Sequence, residues 1–371
     1  MARRVALARR NLFQDRRRAT LSIVGVAAAL LLVLVLEGIF AGAMQQVTAY
    51  MRNSPADVFV SQEGARTMHM TQTALAPATV AAVADVDGVA WAEGLRYTTS
   101  IVDAGDGQRT AYVFGYDVAS GRGGPRTLSA GAAPEHGEIV LDDVAAAELG
   151  VQLGESVGVL GAEFRVSGLS TEGTNIVNTT VYIRSDDFAD LRGDSFAYVL
   201  AGARPNVDPQ VMADRIEAAI PGTTAQTRDE FVRQERAVLR DMTADVMQIM
   251  TVIAFLIALV VVGLTLFTTT LAKLREYGVV KALGAGPGRL AAIVAAQSAW
   301  AVLLGLVVAT ALALLTGIAL EAATPNVQVS IEPSSVLRTG LSALLAGALA
   351  TALPLGRVLR VDPATTFRRP L

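Results

Sequence analysis

The side chains that most often carry out chemistry are scarce in this sequence: two histidines, His69 and His136, two lysines, Lys273 and Lys281, and no cysteine. Zinc and iron centres draw on cysteine and histidine, so neither a histidine-rich nor a thiolate metal site is expected, and a disulfide framework is excluded. A loop that cradles the phosphates of ATP ends in Gly-Lys. Here Lys273 follows Ala272 and Lys281 follows Val280, so the chain does not hydrolyse ATP by that route. No H-E-x-x-H helix, no G-x-S-x-G nucleophile elbow and no kinase signature is expected. Acids are more plentiful, but the pairs Asp142-Asp143 and Asp186-Asp187 most simply solvate a surface or cap a helix. Glu37 differs, being the one acid inside a long apolar stretch, which makes it a functional candidate by default. It lies near the far end of that stretch, where water reaches it. No catalytic residue, bound cofactor or metal ligand is expected.

The remaining sequence explains why so little chemistry is present. Of its residues 52% are hydrophobic and 18% charged, and the mean hydropathy is +0.44; a soluble enzyme carries about a quarter charged residues, so part of this chain must face lipid. Four apolar stretches are long enough to cross a bilayer, which takes about 20 residues of helix. They cover residues 19–44, 246–272, 290–320 and 336–355. Backbone amides in lipid must be satisfied within the segment, so each is expected to be a helix. The third is longer than required and should tilt or project. Gly38 and Gly42 have the spacing that lets two membrane helices approach closely.

Basic residues set the orientation. Seven arginines occur in residues 1–18, four basic residues in 273–289 and four in 356–371, whereas 321–335 has none. The positive-inside rule then makes both termini and the 273–289 loop cytoplasmic and leaves about 200 residues, 45–245, outside. That outer segment holds 15 basic residues against 28 acids, while the cytoplasmic pieces hold 15 against 3, a polarity concealed by the overall charge of −3. The basic pieces favour anionic lipid headgroups, and no nucleic-acid partner is expected. Residues Val5 to Phe13 resemble an amphipathic helix on the inner surface. A cleaved signal peptide is the competing reading of the N-terminus, but its apolar core would be much shorter than this run.

The outer segment alternates and turns like an α+β domain. Strands are expected at Asp57–Ser61, Tyr97–Val102, Thr110–Tyr116, Glu138–Leu141, Ser156–Leu160, Glu163–Leu169, Phe196–Ala201 and Thr223–Thr227. Helices are expected at Pro77–Asp85, Val144–Leu149 and Asp208–Ile220, the last begun by Asp208-Pro209. Two lobes are expected, one of them inserted at about 121–195. The charged run Arg228 to Met247 reads as a helical stalk leading into the second span.

The 273–289 loop is the informative one. Its short apolar helix, closed by Gly284, Gly286 and Pro287, is either a rigid knob for a partner's groove or a plain solvent-facing turn made basic by its side of the membrane. Arg275-Glu276-Tyr277-Gly278-Val279-Val280-Lys281-Ala282-Leu283-Gly284-Ala285 resembles the coupling loop of the MacB/FtsX-like ABC transporter permeases, whose members carry R-E-x-G-x-x-[KR]-A-x-G-A. The family includes DevC-type and lipoprotein-releasing permeases. Asn11-Leu12-Phe13 with Arg16-Arg17-Arg18-Ala19-Thr20-Leu21, Gly137-Glu138-Ile139-Val140-Leu141 with Ala147-Glu148-Leu149-Gly150-Val151, and Val361-Asp362-Pro363-Ala364 resemble further family signatures in the same order. The resemblance implies a membrane α-helical protein with four transmembrane helices and a large α+β extracytoplasmic domain between helices 1 and 2, in a bacterial cytoplasmic membrane. It also implies a separate ABC ATPase subunit that holds ATP and Mg, because no ATPase domain is fused to this chain, and a second permease copy, identical or not. Residues Arg275, Glu276, Tyr277, Gly278, Lys281, Ala282, Leu283, Gly284 and Ala285 would contact that ATPase. The implied role is to carry ATP-driven motion to the outer domain for export of a hydrophobic, peptide or lipid-like substrate, with or without a periplasmic adaptor. Activation of a cell-wall hydrolase and release of lipoproteins are the alternatives known in the family.

Overall fold

Long apolar runs and alternating runs separate in the computed structural model as they do in the sequence. It describes residues 16–68, 71–105, 107–171, 173–174, 178–272, 279, 286–324 and 326–350. The expected surface helix at Val5 to Phe13, His69 and the C-terminal Val361-Asp362-Pro363-Ala364 lie outside these residues. The chain divides into two compact units. One gathers the described parts of Met1–Gly42, Ala244–Ala323 and Val329–Leu371, and the other, the head, is Ala43–Thr243 with Thr324–Gln328.

In the helical unit, α1 spans Arg16–Val47 and runs on past the unit's edge into the head. Two of the described helices have stretches long and apolar enough to cross a membrane, Thr20–Val47 and Ala291–Ala323. By length and composition each fits a bilayer, and a large folded domain accompanies them. Val26, Leu30 and Leu34 recur every fourth residue on α1 and, with Ala27, form a buried stripe. Partners come from two later helices that the head elements separate from it in sequence: Val302, Ala309 and Ala313 from the helix Pro287–Ala323, and Ala343 from the helix Pro333–Ala350. Small residues set the spacing. A Cβ on Gly305 would stand 2.7 Å from Cγ1 of Val26, and one on Gly340 2.7 Å from Cδ2 of Leu306. Gly38 also marks a close approach, but not to another helix: its Cβ would fall 2.9 Å from Cγ1 of Val329, and Ser330 N–H donates to its carbonyl at 2.9 Å. Gly38 thus receives a returning extended segment.

The head is built on a mixed sheet of ten strands, β1 Val58–Gln62, β2 Val89–Asp103, β3 Gln108–Tyr116, β4 Leu128–Gly131, β5 Glu138–Asp142, β6 Ser156–Val159, β7 Ala162–Ser170, β8 Thr179–Arg184, β9 Tyr198–Ala203 and β10 Thr223–Thr227. The order is β10-β1-β9-β2-β3-β8-β5-β7-β4, with β6 against β2 and β7. The pairs β3/β8 and β5/β7 are parallel and the others antiparallel. Strands from the expected inserted lobe thus join the sheet begun by β1 to β3. Short helices cover it: α2 Ala49–Asn53, α3 Ala78–Ala84, α4 Asp143–Leu149, α5 Ser185–Arg192 and α6 Pro209–Ala219. Asp142 caps α4 by accepting from Val144 N–H at 3.2 Å, and Gly150 ends it with φ +69°. Asp208 caps α6 by accepting from Gln210 N–H at 2.7 Å, with Pro209 in the first turn.

The remaining helices are α7 Arg228–Ala272, α8 Pro287–Ala323 and α9 Pro333–Ala350. On the lower half of α7, Ile249, Val252, Leu256, Val260 and Leu264 are all more than half exposed. A stripe of that length is untenable in water and needs lipid or another apolar surface.

Overpacking at a tight helix contact costs about 1–3 kcal/mol. Gly305→Ala should therefore lower the thermal midpoint of the detergent-solubilised chain, and Gly305→Leu should lower it further. Gly288→Ala on the same helix, where a Cβ meets nothing within 4 Å, should leave the midpoint unchanged.

Candidate functional site

The loop singled out in the sequence is framed by α7, whose last residue is Ala272, and α8, which begins at Pro287 with Arg289 N–H donating to Gly286 O at 3.0 Å. Proline at the first helical position lacks the amide that would be unpaired there, so the entry to α8 is sharply fixed. Val279 is helical and 42% exposed. Arg275, Glu276, Tyr277, Gly278, Lys281, Ala282, Leu283, Gly284 and Ala285 lie outside the described residues.

The upper part of α7 holds functional residues that the sequence reading passed over as a charged stalk. The helix starts in the strand-ending Thr227, whose hydroxyl accepts from Glu230 N–H at 3.3 Å, and Asp229 and Glu230 complement its N-terminal dipole. From there 45 residues run without a break, about 67 Å at 1.5 Å per residue. Its first turns are sunk in the head. Arg228 donates through Nη1 to Ser54 O at 3.0 Å; Phe231 and Val232 are buried, and the Phe231 ring sits 5.0 Å from Phe59 and 5.7 Å from Tyr198. Glu235, fully buried, accepts from Met68 N–H at 2.7 Å. The signal for this root was present in the sequence: Phe231, Val232 and Glu235 share one helical face, and the acid among apolar residues disguised it.

Tyrosines surround this root. Burial pushes the Tyr112 phenol up to about 12, with the Glu235 charge adding to it, and raises Tyr97 and Tyr198 further. All three stay protonated at neutral pH. Tyr198 donates to Thr67 O at 3.1 Å, which fixes the chain just before Met68.

Other expected positions resolve differently. Glu37 is met by Arg338, Nη2 to Oε2 at 3.0 Å, and Arg338 also reaches Ser335. A carboxylate held by a guanidinium supports structure more readily than proton transfer. Asp142 is fully buried: besides capping α4 it accepts from Gly173 N–H at 2.7 Å and from the Thr174 hydroxyl. Asp187 is buried too, accepting from Gly137 N–H and paired with His136, so neither acid solvates a surface. Contrary to the expectation of no nucleophile elbow, Gly154-Glu155-Ser156-Val157-Gly158 has its spacing. The elbow needs its serine on a turn from strand to helix, and Ser156 is instead the exposed first residue of β6, followed by more strand.

Removing the Glu235 carboxylate strands a buried amide, which costs about 1–3 kcal/mol. Glu235→Ala should destabilise the chain measurably in chemical unfolding, and Glu235→Gln, which keeps an acceptor oxygen, should lose markedly less.

Residues 19–219 match the MacB-like periplasmic core domain family, and residues 248–363 match the FtsX-like permease C-terminal family. An uncharacterised ABC transporter permease of Mycobacterium bovis is 26% identical over 358 residues, 96% of this chain and 97% of the relative. Another, from Mycobacterium tuberculosis, is 26% identical over 368 residues, 97% and 98% of the two chains. Among solved structures, the periplasmic region of MacB from Actinobacillus actinomycetemcomitans aligns with 50% of this chain and 94% of its own length, at 13% identity and a TM-score of 0.38. With its head and its helical part each matched, the first over more than half the chain, the protein belongs to the MacB/FtsX-like permeases of ABC transporters.

Proposed function

We propose that the chain is the permease subunit of an ABC exporter and converts nucleotide-driven movement at the cytoplasmic face into movement of the head. Four helices cross the membrane, α1, the lower part of α7, α8 and the helix begun by α9, with both termini inside and the head outside. The ATPase is a separate polypeptide that holds ATP and Mg, and two permease copies stand over two such subunits. Arg275 to Ala285 is the peg they grip: Lys281 and Arg275 pair with acids of the groove, and the small residues Gly278, Ala282, Gly284 and Ala285 let it enter.

One observation carries this reading: α7 is a single helix whose start is packed into the head core through Phe231, Val232 and Glu235 and whose end is the residue before the 273–289 loop. The helix holds no proline, and its one glycine, Gly263, lies inside an unbroken run, so no kink-forming residue interrupts its ladder. Displacement of its lower end is therefore delivered to the strands around Phe59 and Tyr198. The absence of arginine and lysine from the apolar stretches, apart from Arg338 near an end, suits a machine that acts on cargo outside and does not thread a polar solute between its helices. The cargo is hydrophobic, peptidic or lipid-like.

Reconstitution with the cognate ATPase tests the proposal. Glu276→Arg and Gly284→Pro should reduce permease-stimulated ATP hydrolysis to background while membrane insertion is unchanged. The natural lack of cysteine makes topology direct to read: with Ala285→Cys, a membrane-impermeant thiol reagent should label only inside-out vesicles, and with Ala119→Cys only right-side-out ones. Stimulation that survives both loop variants, or the reverse labelling, would reject the proposal.

A further inference from the structure

The head contains a cavity that the transmission reading leaves unused. It measures about 380 Å³ and is lined by the last turn of α1, by α2, by the glycine-rich turn at 121–126 and by residues of β3 and β8. Small-molecule pockets run from about 300 to 1,000 Å³, so this one has room for a single acyl chain or a two-ring aromatic body. Two acyl chains or a folded peptide do not fit.

Its walls are aromatic. Tyr50 stacks on Phe114 with centroids 4.0 Å apart and an interplanar angle of 12°, and Phe114 lies 5.7 Å from Tyr182. Tyr112 completes this side. The Tyr50 hydroxyl donates to Gly123 O at 3.0 Å and so ties the 121–126 turn to this wall. Flat, apolar and stiff, these rings offer contact area at little cost in side-chain entropy.

The polar groups are unequal in sign. Among the described residues the lining contains one charged residue, Arg126, and no acid, in a head segment where acids outnumber bases almost two to one. Arg126 is exposed and donates to Asn53 Oδ1 at 3.2 Å; among the described residues no carboxylate comes within ion-pair distance of it. Asp142 stands behind Gly173, with its carboxylate already engaged by Val144, Gly173 and Thr174. One further atom of the wall is unmet: Gln46 Oε1 is buried without a partner among the described residues. Buried polar atoms of native proteins are nearly always satisfied, so an aromatic chamber with spare donors and acceptors at its polar side is shaped for an occupant.

We propose that this cavity binds a single-chain anionic amphiphile, its apolar chain against Tyr50, Tyr112, Phe114 and Tyr182 and its anionic end on Arg126. Binding here requires neither nucleotide nor ATPase, so it stands or falls separately from the coupling role.

The test uses the full chain in lipid nanodiscs, without ATPase, and a photoreactive lauric acid carrying a diazirine in its chain, with labelled residues mapped by mass spectrometry. Labelling should concentrate on Tyr50, Tyr112, Phe114 or Tyr182 and be displaced by laurate but not by lauryl alcohol. A charge-assisted contact is lost in Arg126→Glu, which should weaken labelling by about tenfold or more, whereas Arg126→Lys should retain most of it. Arg126 is exposed, so both variants should keep the parental unfolding midpoint. Asn53→Trp, which narrows the opening, should block labelling without changing the charge. Equal displacement by the alcohol, unchanged labelling in Arg126→Glu, or labelling confined to the apolar helices would overturn the proposal.

Discussion

A carboxylate closes the joint on which this molecule depends. Glu235 is fully buried, and it can be so because the Met68 amide gives it a partner within a shell of Phe59, Tyr198 and Phe231. An unpaired acid there would drive the helix out of the core. Paired, it fixes the rotation of α7 about its axis, since only one helical face carries Phe231, Val232 and Glu235 together.

The two units are held by different physics. In the head, large side chains such as Phe59, Phe114, Tyr198 and Ile183 are withdrawn from water, and each contributes about 1.5–3 kcal/mol by that transfer. Between membrane helices the same transfer yields almost nothing, because lipid is as apolar as leucine. Contacts there are made with alanine and glycine instead, as at Ala309, Ala313, Ala343 and Gly305, where close backbone approach gives dispersion its effect. The pair Glu37–Arg338 adds a polar tie between α1 and α9.

Much of this architecture was legible in the residues. Thr223–Thr227 is a strand with the expected limits, Asp208-Pro209 begins α6, and the apolar runs at 19–44 and 290–320 lie within α1 and α8. Those features are local: turns, caps and periodicity act over a few residues. What was missed depends on partners far away in sequence. The first half of β2 reads as irregular because its pattern is uneven, yet it pairs with β9 a hundred residues later; α5 hides behind Asp186-Asp187 until Gly137 and His136 engage Asp187. The cavity could not be read at all, since Tyr50, Phe114 and Tyr182 come from three distant segments.

The register of the sheet has a consequence for how the protein is made. β1, among the first head residues to leave the ribosome, finds both its neighbours late, in β9 and β10, with Val58 opposite Ala201 on one side and Thr227, the residue before α7, on the other. Until those strands are made, the early strand keeps unpaired edges, the kind that recruit stray chains. Closure of the sheet therefore waits for the far end of the head to be synthesised, and α7 follows immediately behind it.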